Sequence, residues 1–158
     1  MSLHYEWALS LWLKPDLPHQ FESELLWQLG MTEEQPKVMT LPDWGAQVLG
    51  ASDGECRMPG GPVAILQPAE DPSSARGLFV RTFIKDDGMY AVMQHIPSWL
   101  APWSATQGWI GFAREESDLH IWLNFYVQGD HAYVGRPGEE PKGMPDGAPP
   151  FSLRHTLS

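Results

Sequence analysis

A strand and helix near the start of this 158-residue chain recur about 71 positions later with matching apolar faces. Trp7, Leu9, Leu11 and Leu13 correspond to Leu78, Val80, Thr82 and Ile84, and Lys14 then corresponds to Lys85. Each strand leads into a helix whose apolar positions also match, Phe21 with Val92, Leu25 with Ile96 and Leu29 with Leu100. A helix stripe and a strand face each need a partner to leave water, so two such units predict one shared core. At 17.7 kDa the chain is large enough to bury that core without disulfides. The repeat constrains fold and carries no chemistry of its own.

The pattern around these units predicts an α+β domain: a mainly antiparallel sheet with two helices on one face. Leu3 to Leu13 alternates strictly, the period of a half-buried strand, with His4, Glu6, Ala8, Ser10 and Trp12 on the second face. Pro15, Asp16 and Pro18 stop it and open a helix from about His19 to Leu29, with Gly30 as a left-handed cap. Residues 31–77 are irregular apart from a strand, Val63 to Leu66, after the Pro59-Gly60-Gly61-Pro62 turn, and they are expected to lie against the core. Pro72, Ser73, Ser74 and Gly77 read as a loop before a strand from Leu78 to Lys85. Asp86-Asp87-Gly88 then turns the chain into a helix from about Met89 to Ile96, with a break expected at Pro97 or, alternatively, a fresh turn begun there through Ser98, Trp99 and Leu100 and ending before Pro102. Strands follow at Gly108 to Glu115 and Leu119 to Val127, joined by Glu116-Ser117-Asp118, and at His131 to Val134 after the tight turn Gln128-Gly129-Asp130. Residues 1–134 thus form the predicted domain. Residues 135–158, rich in proline and glycine, read as a mobile or surface-draped tail that Phe151 and Leu153 could anchor.

Strand alternation also says what the face away from the helices would carry. With Leu119, Ile121, Leu123, Phe125 and Val127 turned to the helices, His120, Trp122, Asn124 and Tyr126 join Trp12, Phe79, Arg81 and Phe83 on the other side. A contiguous aromatic face of that size is rarely left bare. Four coverings compete: the middle segment or tail, a second copy, a different protein, or a small molecule in a pocket.

Twenty acidic residues stand against ten basic ones, a net charge of −10 and a pI near 4.8. The acids gather at Glu33-Glu34, Glu70-Asp71, Asp86-Asp87, Glu115-Glu116-Asp118 and Glu139-Glu140. Such a surface repels phosphate backbones, which argues against nucleic acid, and would steer a basic protein toward it. It also serves solubility alone. No stretch is long and apolar enough to span a bilayer, and Glu6 interrupts the only candidate signal segment. With a single cysteine, Cys56, no internal disulfide can form, so the expectation is a cytoplasmic protein that does not engage membranes.

Chemical constellations are sparse. His4 and Glu6 share a strand face but supply only two groups, where zinc or iron needs at least three ligands. His95 sits near a helix end, where packing accounts for it. His120 and His131 flank a hairpin and could approach each other, though exposed strand histidines are commoner than catalytic bases. Cys56 has no positioned base beside it, and Trp7, Trp27, Trp99 and Trp103 fall where core packing explains them. There is no Gly-x-Ser-x-Gly elbow, phosphate loop, dinucleotide fingerprint, Cys-x-x-Cys or His-Glu-x-x-His. No catalytic residue, metal or cofactor is predicted.

The run from Gly108 to Glu116, preceded by Trp99-Leu100-Ala101-Pro102 and by the early turn Lys14-Pro15-Asp16-Leu17-Pro18, resembles segments of small uncharacterised bacterial proteins. The resemblance covers about two thirds of the chain. It implies an α+β fold and a role as antagonist of a toxin, since acidic single-domain immunity proteins look broadly similar, but it transfers no functional residue. The leading expectation is a non-catalytic protein-binding domain that meets a basic partner through acidic loops, Glu115 and Glu116 among them, and through the aromatic face. Two alternatives stand beside it. One is a sensor or enzyme whose pocket of Trp12, Phe83, Arg81 and Trp122 uses Arg81 to hold an anionic or carbonyl group; the other is a structural homodimer.

Overall fold

Every second residue of β1 (His4–Leu13) is apolar, and Tyr5, Trp7, Leu9, Leu11 and Leu13 are all buried on the side that faces the helices. The computed structural model describes residues 4–44, 47–50, 59–85, 92, 95–118 and 120–143. After β1 come α1 (His19–Gln28), β2 (Val63–Leu66), β3 (Arg76–Lys85) and α2 (residues 95–100), which passes into a 3-10 turn at Ala101–Trp103. β4 (Gly108–Glu115), β5 (Leu123–Gln128), β6 (His131–Gly135) and β7 (Lys142–Gly143) complete the chain. All seven strands form one antiparallel sheet in the order β2-β3-β1-β4-β5-β6-β7.

The first four strands in this order, with α1 after β1 and α2 after β3, have the connectivity of a split βαβ, ferredoxin-like unit. The repeat maps onto its internal symmetry. Leu9 pairs with Val80, and Trp7–Thr82 and Leu11–Leu78 lie on either side. A shift of 71 positions carries Leu9 onto its own partner and exchanges the two flanking pairs, as a pseudo-two-fold axis through the sheet between Leu9 and Val80 would. Such an axis keeps both helices on one face. Phe21, Leu25 and Leu29 are buried there, and so are Val92, Ile96 and Leu100.

α1 ends as its sequence predicts. Gly30 takes φ +74° and donates to Trp27 O, while Met31 N–H reaches Leu26 O, the paired bonds of a Schellman cap. α2 departs from expectation: residue 92 and residues 95–100 are helical, so Pro97 lies inside the helix and does not break it. Burial of Ile96 and Leu100, one turn apart, offsets the ladder bond that proline cannot donate. Pro102 occupies the first turn of the 3-10 segment, where a missing N–H costs little.

Three further boundaries differ. β3 begins at Arg76, so Gly77 belongs to the strand. β5 begins at Leu123 rather than Leu119: Asp118 Oδ1 accepts His120 N–H at 3.0 Å, which turns the chain locally, and ladder bonding resumes with Trp122 N–H to Ala113 O at 2.9 Å. Part of the expected tail is folded, since Lys142–Gly143 pairs with β6 as an edge strand. The Asp86-Asp87-Gly88 turn, the helix start at Met89, Cys56, and Phe151 and Leu153 lie outside the described residues.

The middle segment is held to the helix side by a polar stripe on α1. Glu24, fully buried, accepts from Thr40 N (2.5 Å), Thr40 Oγ1 (2.9 Å) and Leu41 N (3.2 Å). One turn on, Gln28 Oε1 accepts Val48 N–H at 3.0 Å and Gln28 O accepts Leu49 N–H at 3.1 Å. These bonds satisfy backbone groups that bring Leu41 and Leu49 into the core. No helix among the described residues is long and apolar enough to cross a membrane. Replacing Glu24 by Ala removes the buried acceptor of the Thr40 and Leu41 donors, so urea unfolding should show a loss of about 2 to 4 kcal/mol. Hydrogen exchange at the Thr40 and Leu41 amides should accelerate more than exchange in β1.

Candidate functional site on the open face of the sheet

Away from the helices, the second face of the sheet divides into a closed end and an open end. At the closed end Glu6, 3% exposed, sits between two guanidiniums. Arg81 Nε lies 3.3 Å from Oε1; Arg114 Nε and Nη2 lie 2.8 and 2.7 Å from Oε2. The register requires this, since Glu6 stands opposite Phe83 on β3 and Arg114 on β4, with Arg81 one same-face position along. Arg81 also covers the Phe83 ring at 4.9 Å and donates to Gly61 O at 3.3 Å. Arg114 lies 5.9 Å from the Phe112 ring centre. Beside them His4 Nδ1 is 3.2 Å from Glu116 Oε1.

The open end is aromatic. Trp12 is 52% exposed and Phe79 39%, and Ile65 of β2 stands directly opposite Phe79. Across the sheet a bulge in β4 turns Ile110 into the core and leaves Trp109 and Phe112 stacked on the open face, ring centres 6.4 Å apart at 12°. Trp109, 48% exposed, donates from Nε1 to Asn124 Oδ1 at 2.8 Å. Tyr126 and Tyr133, a direct cross-strand pair, continue the surface toward β6.

Trp12 is held through its backbone. Its partner on β3 is Gly77, where an added Cβ would meet the Gln67 side chain at 2.5 Å and the Trp12 ring at 3.3 Å, so the missing side chain leaves room for both. Its backbone is fixed from the other flank, where Trp12 N–H donates to Thr106 Oγ1 (2.8 Å) and Trp12 O accepts Ala105 N–H (2.7 Å). Two grooves of about 350 and 510 Å3 flank the ring and share Trp12 and Gln67. A third, of about 430 Å3, lies between Tyr126, Tyr133 and Glu140.

The residues expected to act together are thus only partly brought together. Trp12, Phe79 and Tyr126 share the open face. Phe83 is on the same face but buried under Arg81. Trp122 leaves it altogether: because regular pairing starts one residue later, its ring stacks on Tyr5, 5.0 Å away at 15°, on the helix-facing side. Trp12, Phe83, Arg81 and Trp122 therefore do not line one pocket, and Arg81 is engaged with Glu6. Glu115 and Glu116 are half-buried at the closed end, Glu115 accepting from Ser117 Oγ and Glu116 lying against His4. His120 and His131 each lie against an aspartate neighbour, Asp118 at 2.7 Å and Asp130 at 3.3 Å. His95 packs beside Trp44.

Alternation does not reveal Trp109 with Phe112, because residues three apart share a strand face only across a bulge. The pair of glycines, Gly108 and Gly111, in so short a strand was the available signal. Comparison with family models, curated proteins and solved structures finds no match for this chain.

Two predictions follow from the charges. Glu6→Gln removes the buried charge that Arg81 and Arg114 share and should cost about 3 to 5 kcal/mol in chemical denaturation. Asp71, in the loop beside Trp12, is held below the usual carboxylate range mainly by hydrogen bonds from Ser73. A lowered folded-state value stabilises the turn above the ordinary aspartate range and is lost as pH falls through the folded midpoint. NMR titration should place the Asp71 midpoint below that in Ser73→Ala.

Proposed function

We propose that this chain is a non-catalytic binding domain that docks a basic protein on the open end of its sheet. The observation that carries the reading is the run of exposed Trp12, Ile65, Phe79 and Trp109 on one face, since monomers rarely leave contiguous apolar surface of that extent unused. Aromatic residues of this kind supply most of the energy at protein interfaces. Carboxylates border the face at both sides, Glu70 in the groove with Trp12 and Glu140 in the groove with Tyr126 and Tyr133. Together with a net charge of −10, they favour a partner of opposite sign and disfavour anionic ligands. An acidic antagonist that covers a basic toxin would use this arrangement. The two arginines that could have argued for an anion instead share Glu6.

Proteins retained by the immobilised chain should be basic and should elute as NaCl rises from about 0.05 to about 0.5 M. The double variant Phe79→Ser/Trp109→Ser, with unchanged thermal unfolding, should release them. Retention unaffected by those substitutions overturns the reading. A dimer in native mass spectrometry that the same variant dissociates would assign the face to a second copy.

A further inference from the structure

The Trp12 seat specifies more than apolar contact. One of its flanking grooves is walled by the loop that carries Glu70, with Asp71 next to it held in its ionised form by hydrogen bonds from Ser73 N and Oγ at 2.8 and 2.5 Å. Among the described residues, Arg76, which follows the groove-lining Ala75, is engaged elsewhere, its Nη1 pairing with Glu22 at 2.8 Å. An indole face beside carboxylates that pair with no cation among the described residues attracts positive charge twice, through the ring quadrupole and through Coulomb attraction. Tryptophan is the strongest aromatic for that purpose, and a planar guanidinium can stack on it while its N–H groups reach a carboxylate.

On these grounds we infer that the Trp12 groove is the receptor for an arginine side chain of the basic partner, stacked on the indole and paired with Glu70. The inference rests on the docking face proposed above and names the contact that gives it specificity. The backbone that carries the ring is set in place before the partner arrives, because Trp12 N–H is bonded to Thr106 Oγ1 and Trp12 O to Ala105 N–H, with Gly77 leaving room beneath the indole.

The test uses the full chain and two capped peptides, identical except that one carries arginine where the other carries uncharged citrulline. In 1H–15N spectra the arginine peptide should shift the Trp12 indole and Glu70 amide signals and bind at least about tenfold more tightly than its citrulline counterpart. Trp12→Ala should abolish that preference. Glu70→Gln should weaken it about threefold or more, and by less at high salt. Gly77→Ala, which disturbs the ring's seat without touching charge, should also weaken it. Equal binding of the two peptides, or shifts confined to the Tyr126–Glu140 groove, overturns the inference. If Trp12→Ala still binds the captured basic protein while Phe79→Ser/Trp109→Ser does not, the arginine site falls and the docking face stands. If none of these substitutions affects that protein, both fall.

Discussion

Ten consecutive residue pairs between β1 and β3, centred on Leu9 and Val80, are the constraint on which the rest of the structure hangs. Their antiparallel register puts the two copies of the repeat about a common axis, and that axis is what sends α1 and α2 to the same side. With both helices there, the apolar sides of the two central strands lose water together. The remaining strands are additions to this pair: β2 on the β3 edge, and β4 to β7 on the β1 edge. A slip of one residue would turn Tyr5, Trp7 and Leu9 out to solvent and bring Glu6 into the apolar core.

The same register creates the contrast within the second face. It places Glu6 among residues of β3 and β4 that carry arginine, so a charge that would be costly to bury alone is met by two of opposite sign. Arg81 lies over Phe83, and with Arg114 and Glu6 it closes that end of the sheet. Toward Trp12 no such cover comes from the described residues. Gly77 gives the indole a place to lie but supplies no side chain to hide it. The open end is therefore a direct product of where charged and small residues fall in one pairing pattern.

Much of the architecture was legible because β1 and α1 are strongly periodic and well punctuated, and their limits agree closely with the pattern. The misreadings share a cause, competition between local pattern and a specific bond or contact. Alternation from Leu119 to Val127 suggested a continuous strand, but the Asp118 side chain captured the His120 amide and displaced the start to Leu123. That displacement carried Trp122 from the predicted site to a stack on Tyr5. Pro97 suggested a break, but Ile96 and Leu100 are anchored on both sides of it. The role of Glu24 and Gln28 was hidden because buried polar residues on a helix look, in sequence, like solvent-facing ones.

The sequence by itself determined that there would be two strand-helix units with apolar faces, an acidic exterior, and aromatic residues on the side away from the helices. Periodicity and composition are local properties, so one chain is enough to read them. Only the tertiary structure decided that Arg81 is bound to Glu6, that Phe83 is covered, that Trp122 is turned to the core side and that Trp109 joins the open face. Each of those outcomes depends on which residues meet across strands, and on one bulge in β4. Cross-strand neighbours are set by register between segments far apart in the chain, and no local pattern encodes them.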